Sequence, residues 1–124
     1  MNLPEGYQTV MPYLILKGTD GFINFTKNVF NAKELNVYRN SDGSIIHAEI
    51  QIGGSTIMIG EANENWHVQN AGLYINVDKA DDHYALAMEN GAEVVMGLED
   101  KDYGRTCGVK DPYGNTWWIT SQKE

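Results

Sequence analysis

Gly54-Ser55-Thr56-Ile57-Met58-Ile59 and Gly114-Asn115-Thr116-Trp117-Trp118-Ile119 both read glycine, small polar, threonine, apolar, large apolar, isoleucine, sixty residues apart. Upstream of each, Tyr13-Leu14-Ile15-Leu16 and Tyr74-Ile75-Asn76-Val77 match at an offset of 61. Two matches in the same order, separated by a one-residue insertion, point to an internal duplication. The repeat is therefore the first thing the fold has to satisfy.

Working outward, each half carries the same succession of elements. Val10 to Leu16 is β-branched, apolar and aromatic and reads as a strand. Thr19 or Asp20 can cap a helix on which Phe22, Phe25 and Val29 recur at helical spacing, with Asn31 as its end. Glu34 to Arg39 is a strand, and Asn40-Ser41-Asp42-Gly43 is a hairpin turn, because Asp-Gly reaches positive φ at little cost. Ser44 to Ile52 alternates Ile46, Ala48, Ile50 and Ile52 against His47, Glu49 and Gln51. Gly53-Gly54 turns the chain into a fourth strand, Thr56 to Ile59. After a polar connector, Gly60 to Gln69, the pattern restarts. A strand Gly72 to Val77 leads to a helix capped by Asp78 or Asp81, with Ala80, Tyr84, Ala87 and Met88 on one stripe and Gly91 behind it. Strands follow at Ala92 to Met96, Tyr103 to Lys110 and Asn115 to Thr120, the last two joined by the turn Asp111-Pro112-Tyr113-Gly114.

The expected fold class is α+β, with tandem βαβββ units forming a curved mixed sheet around a cavity and helices outside. A single domain, 1–124, is expected, with a first unit about 9–61 and a second about 70–121. By strand period His47, Glu49, Gln51, Thr56 and Met58 face the cavity, together with Met11, Tyr13, Ile15, Tyr74, Asn76, Thr116, Trp118 and Thr120. Ile46, Ala48, Ile50, Ile52, Ile57 and Ile59 pack under the helices.

Composition narrows the function classes. A net charge of −8 works against phosphate-backbone recognition, so no nucleic acid is expected, and against an anionic membrane surface. No apolar run approaches the roughly 20 residues that span a bilayer. The opening MNLPEGYQTV carries no basic start and no apolar core of a secretory signal, and Cys107 is the one cysteine. A cytoplasmic location is expected on these grounds. Gly53-Gly54-Ser55 joins two strands and lacks a following Lys-Ser/Thr, which excludes a phosphate loop. No Gly-x-Ser-x-Gly elbow is present.

The phrases Pro12-Tyr13-Leu14-Ile15-Leu16-Lys17-Gly18, His47-Ala48-Glu49-Ile50, Ile57-Met58-Ile59 and Asp111-Pro112-Tyr113-Gly114-Asn115-Thr116-Trp117 resemble the vicinal oxygen chelate superfamily. That superfamily includes glyoxalase I, extradiol dioxygenases and bleomycin-resistance proteins. The resemblance spans nearly the whole chain and implies the duplicated fold and a homodimer, without fixing a reaction. Metal-using members carry His, Gln or Glu ligands on the first and fourth strand of each unit. Carried onto this chain, those places fall at Met11, Met58, Gly72 and Trp118, none of them a good oxygen or nitrogen donor. No metal and no cofactor are therefore expected.

Two readings follow. One is a protein that binds a small aromatic or cationic molecule, with Tyr13, Met58, Trp66, Tyr74, Arg105 and Trp118 as ligand-binding candidates. The other is a glyoxalase- or dioxygenase-type lyase, isomerase or oxygenase using a non-standard metal, or His47 as a base supported by Glu49 two residues along the same strand face. A structural or regulatory dimer module also fits the sequence. Arg105 can equally pair with one of the many carboxylates, and Cys107 reads as a small core residue rather than a nucleophile.

Overall fold

The computed structural model describes residues 1–124. The chain divides into two compact units, Met1–Asn70 and Ala71–Glu124. The first holds β1 (Tyr13–Leu16), α1 (Thr19–Phe30), β2 (Lys33–Arg39), β3 (Ile45–Ile52) and β4 (Ser55–Glu61). The second holds β5 (Gly72–Asn76), α2 (Ala80–Glu89), β6 (Glu93–Lys101), β7 (Gly104–Lys110) and β8 (Thr116–Gln122). This is the α+β class expected, with the duplicated βαβββ order.

Each unit forms a four-stranded mixed sheet, ordered β1-β4-β3-β2 and β5-β8-β7-β6. In both, the first strand lies parallel to the last and the remaining pairs are antiparallel. A parallel pair needs a long crossover, and the helix with its two intervening strands supplies it. The register is equivalent in the two copies: Tyr13 sits beside Met58, and Tyr74 beside Trp118.

Helix α1 buries Phe22, Ile23, Phe25, Val29 and Phe30 against the face of its sheet where Ala48, Ile50 and Ile59 are fully covered. Burying one such large apolar side chain contributes about 1.5–3 kcal/mol. Helix α2 buries only Ala80 and Ala87, so its anchorage depends more on polar bonds. One of these runs from the Ala80 N–H to Ser121 Oγ, at 2.6 Å. The expected C-terminal helix ends hold: Asn31 terminates α1 in the left-handed region at φ 57°, and Gly91 follows α2 at φ 90°. The N-caps differ from the expected Thr19 or Asp20 and Asp78 or Asp81: they are Gly18 and Lys79, neither making a side-chain cap bond.

Three expectations are corrected. Ile46 does not pack under the helix; it is 54% exposed, while Ile45 is buried. The β2–β3 register shifts between Tyr38↔His47 and Arg39↔Ile45, so a bulge at Ile46 resets the alternation. Thr56 is also buried rather than open, because its hydroxyl donates to the Gly6 carbonyl and its backbone pairs with the Gln8 side chain. Strand β6 runs on to Lys101 through the polar stretch Glu99-Asp100-Lys101, which reads as loop in isolation but pairs with β7 as far as Gly104.

Gly104 closes that hairpin at φ 151°, and a Cβ there would overlap the Ser121 carbonyl oxygen and lie 3.0 Å from Gln122 Cα. Both obstacles are backbone. Gly104→Ala is expected to destabilise the protein by about 1–3 kcal/mol, read as a lower urea midpoint with an unchanged slope.

Candidate functional site

A pocket of about 810 Å³ opens in the first unit, and every residue lining it lies between Tyr13 and Gln69. Its apolar wall is Ile15, Ile45, Ile46 and Ala62. The bulge at Ile46 matters here, since it turns one isoleucine out of the core and into the pocket. Strand β4 ends at the pocket with Gly60 and Glu61. Glu61 reaches back to the start of α1, where its carboxylate accepts from Gly18 N at 3.1 Å, Thr19 N at 3.0 Å and the Thr19 hydroxyl at 2.8 Å. It thus caps a helix whose own N-cap residue is a glycine, and places a negative charge at the pocket edge.

The polar connector is a fixed loop. Asn63 Oδ1 accepts from Asn65 N and Trp66 N at 2.8 and 2.9 Å. Gln69 then pairs with Ile15 through two backbone bonds, which covers the free edge of β1. Trp66 is carried at the pocket lining, 64% exposed. An indole left in water beside an apolar wall gains by covering a flat ligand.

His47 lines the pocket, whereas Glu49, expected to face it, is buried and does not; the two are joined as their spacing implies, with His47 Nε2 3.0 Å from Glu49 Oε2. Sequence reasoning singled out Tyr13 but missed three further members, Tyr7, Asn36 and Tyr38. Tyr7 donates to Glu49 Oε2 at 2.5 Å, and Asn36 Nδ2 donates to Oε1 at 2.9 Å. Tyr13 Oη lies 3.2 Å from His47 Nδ1. The Tyr13 and Tyr38 rings flank the imidazole with centroids at 5.5 and 6.0 Å. Glu49 is 3% exposed. Burial by itself would raise its pKa, but the bonds from Tyr7, Asn36 and His47 outweigh that and hold the carboxyl below its ordinary value. Tyr7 is correspondingly raised, first by its bond to Glu49. No local signal marks Tyr7, which lies 42 residues from its partner.

The family model described as Glyoxalase/Bleomycin resistance protein/Dioxygenase superfamily matches residues 13–119. The chain belongs to this superfamily. It is 30% identical over 118 residues to the uncharacterized protein Mb0911c of Mycobacterium bovis, covering 86% of this chain and 78% of that protein. Among solved structures, TioX from Micromonospora sp. ML1 superposes with a TM-score of 0.74 at 24% identity, over 94% of this chain and 98% of the other. TnmS3, an antibiotic binding protein from Streptomyces sp. CB03234, does so with a TM-score of 0.72 at 15% identity, over 94% and 100%. At these identities the two structures establish the shared fold.

The register sharpens the test of the superfamily's metal positions. Ligands on the first and fourth strands must be neighbours, and Met11 lies ahead of β1 while Gly72 pairs with Thr116. The places beside Met58 and Trp118 are instead Tyr13 and Tyr74, two residues later than the sequence placed them. Neither the phenol and thioether of the first unit nor the phenol and indole of the second fit Mg, Mn, Zn or ferrous iron, which favour carboxylate and imidazole. No three His, Cys, Asp or Glu side chains converge elsewhere in the chain.

The remaining candidates do not line this pocket. Met58 is half-buried on β4, flanked by Tyr13 and Glu49 as register partners. In the second unit Trp118 lies over Gly108, where a Cβ would overlap its six-membered ring. Tyr74 Oη accepts from Gln122 at 3.0 Å. Arg105 donates to Asp81 at 2.6 Å and Asp100 at 3.1 Å, tying α2 to the β6–β7 hairpin. Burial pushes the Cys107 thiol up to about 11, which leaves it protonated and unreactive at neutral pH.

Proposed function

We propose that this protein binds a small aromatic molecule, neutral or cationic, non-covalently in the first-unit pocket and without a metal ion. The observation that carries this is the pocket itself. Its volume lies within the ~300–1,000 Å³ of ordinary ligand sites, and it combines an apolar wall, a rim tryptophan and a few polar groups. No Lys or Arg lines it, whereas Glu61 does, and the chain is acidic throughout. An anionic ligand would meet no counter-charge there. The superposition on an antibiotic binding protein supports the same direction.

A screen of flat aromatic amines and phenols by thermal shift tests this reading. Binders should quench tryptophan fluorescence. Trp66→Ala should weaken them about tenfold, the scale of a stacked aromatic contact, with little change in melting temperature, because Trp66 is largely solvent-facing. Binding that ignores Trp66 would remove this pocket from consideration.

A second reading keeps a specific observation: His47 and Tyr13 on the pocket lining, with buried Glu49 behind His47, have the geometry of a supported base. It would make the protein a lyase, isomerase or oxygenase of the glyoxalase or dioxygenase type. Mass spectrometry of recovered ligand separates the two. Unchanged ligand supports binding; conversion that is lost in His47→Ala supports catalysis. The homodimer and the cytoplasmic location belong to the same proposal. Edge strand β6, with Val94 and Val95 half exposed, supports the dimer, and sedimentation equilibrium checks it.

A further inference from the structure

The hydrogen-bond chain behind Tyr13 has a fixed direction. Glu49 is held by two groups that act here as donors, the Tyr7 hydroxyl and the Asn36 amide, so its oxygens act as acceptors. The third contact, from His47 Nε2 at 3.0 Å, must then also be a donation. In neutral His47 this places the proton on Nε2 and leaves a lone pair on Nδ1. Tyr13, at 3.2 Å from Nδ1, has one proton and gives it to that lone pair. What the Tyr13 oxygen has left for the pocket is acceptor capacity alone.

Resting on the pocket reading above, we infer that the ligand is a hydrogen-bond donor, an aromatic hydroxyl or amine whose O–H or N–H points at Tyr13, and that Glu49 selects it without touching it. Glu49 is a positioning residue and Tyr13 the contact. Nothing else facing His47 reverses the direction: Tyr38 meets it with a ring 6.0 Å away, and Tyr7 acts only through Glu49. An ether or tertiary amide of the same shape would set its lone pairs against those of Tyr13. A site arranged in this way rejects the analogue that lacks the donor.

Glu49→Gln inverts the arrangement without changing its shape. Asn36 Nδ2 is a donor, so it orients the new amide with its oxygen on the Asn36 side. The amide nitrogen then occupies the Oε2 place, donating one hydrogen to His47 Nε2 and the other to the Tyr7 oxygen, whose hydroxyl turns from donor to acceptor. The imidazole proton moves to Nδ1, Nδ1 donates to Tyr13, and the Tyr13 proton turns to the pocket.

Two measurements test this. The first needs no ligand: long-range nitrogen–proton correlation at pH 8, with the His47 signal assigned by its loss in His47→Phe. The inference expects a protonated Nε2 in the wild type and a protonated Nδ1 in Glu49→Gln. A wild-type Nδ1 tautomer overturns it while leaving the pocket reading intact. The second compares 2-naphthol with 2-methoxynaphthalene by titration calorimetry. The wild type should favour the naphthol by about tenfold, roughly one hydrogen bond. Tyr13→Phe should bind both equally, and Glu49→Gln should bring the preference to parity or below. Equal wild-type binding of the two overturns the donor rule alone. Binding of neither overturns the donor rule and the aromatic pocket together.

Discussion

Asp111→Ala is expected to cost about 3–5 kcal/mol. The carboxylate is 3% exposed and lies beneath the turn that leads into β8. It accepts from Tyr113 N at 2.9 Å, Asn115 N at 3.0 Å, Asn115 Nδ2 at 3.0 Å and Trp117 Nε1 at 2.8 Å. Asn115 and Trp117 are themselves fully buried. Alanine would leave these donors facing a small cavity, and each unsatisfied buried donor costs about 1–3 kcal/mol before water or relaxation recovers part of it. Asp111→Asn keeps one acceptor oxygen and should lose about half as much. Urea denaturation should rank the wild type above Asn and Asn above Ala. Equal midpoints would show that the motif is held by its backbone turn alone.

The same bonds explain why Asp-Pro-Tyr-Gly-Asn is so informative as a phrase. Its residues act on near neighbours. Pro112 and Gly114 bend the chain, Asp111 gathers donors two to six residues ahead, and Asn115 passes a bond on to Ala71 N at 3.0 Å. Features of this kind are legible because their partners are close in sequence. The helices, the hairpin at Asn40–Ser44 and the His47–Glu49 pair belong to the same class.

The site was legible only in part, for the converse reason. A bulge moves Ile46 into the pocket, and its cause is the register against β2 rather than anything in the alternation of β3. Glu61 reads as part of a polar connector, yet it caps a helix that begins 42 residues earlier. Tyr7 sits in a stretch with no periodicity, and its role depends on a carboxylate across the sheet. The parallel β1–β4 pairing likewise decides which residue stands beside Met58, and an offset of 60 or 61 cannot fix that to one position. Each miss is a long-range contact imposed on a segment whose local pattern is silent or points elsewhere.

Glu49→Ala is the other change with a large expected effect, about 3–5 kcal/mol, on the scale of breaking a buried pair by removing one partner. The substitution strips His47 Nε2, the Tyr7 hydroxyl and the Asn36 amide of their acceptor together. Its reach extends beyond the pocket wall, since Tyr7 and Gln8 are the side chains that fasten the N-terminal segment to the sheet. Hydrogen exchange over residues 5–9 should accelerate in the variant, while α2 and β6–β8 keep their protection. The wild-type bond also carries a pH signature. The folded carboxyl titrates below its unfolded value, so its contribution is complete above the unfolded glutamate pKa of about 4.3 and is lost as pH falls through the lower folded value. The wild type should therefore lose stability faster than Glu49→Ala on acidification below about pH 4.3, and the gap between their denaturation midpoints should narrow. A gap that stayed constant from pH 7 to pH 3 would mean that the carboxylate is not stabilised in its ionised form. It would also remove the physical basis for fixing the direction of the His47–Tyr13 bond.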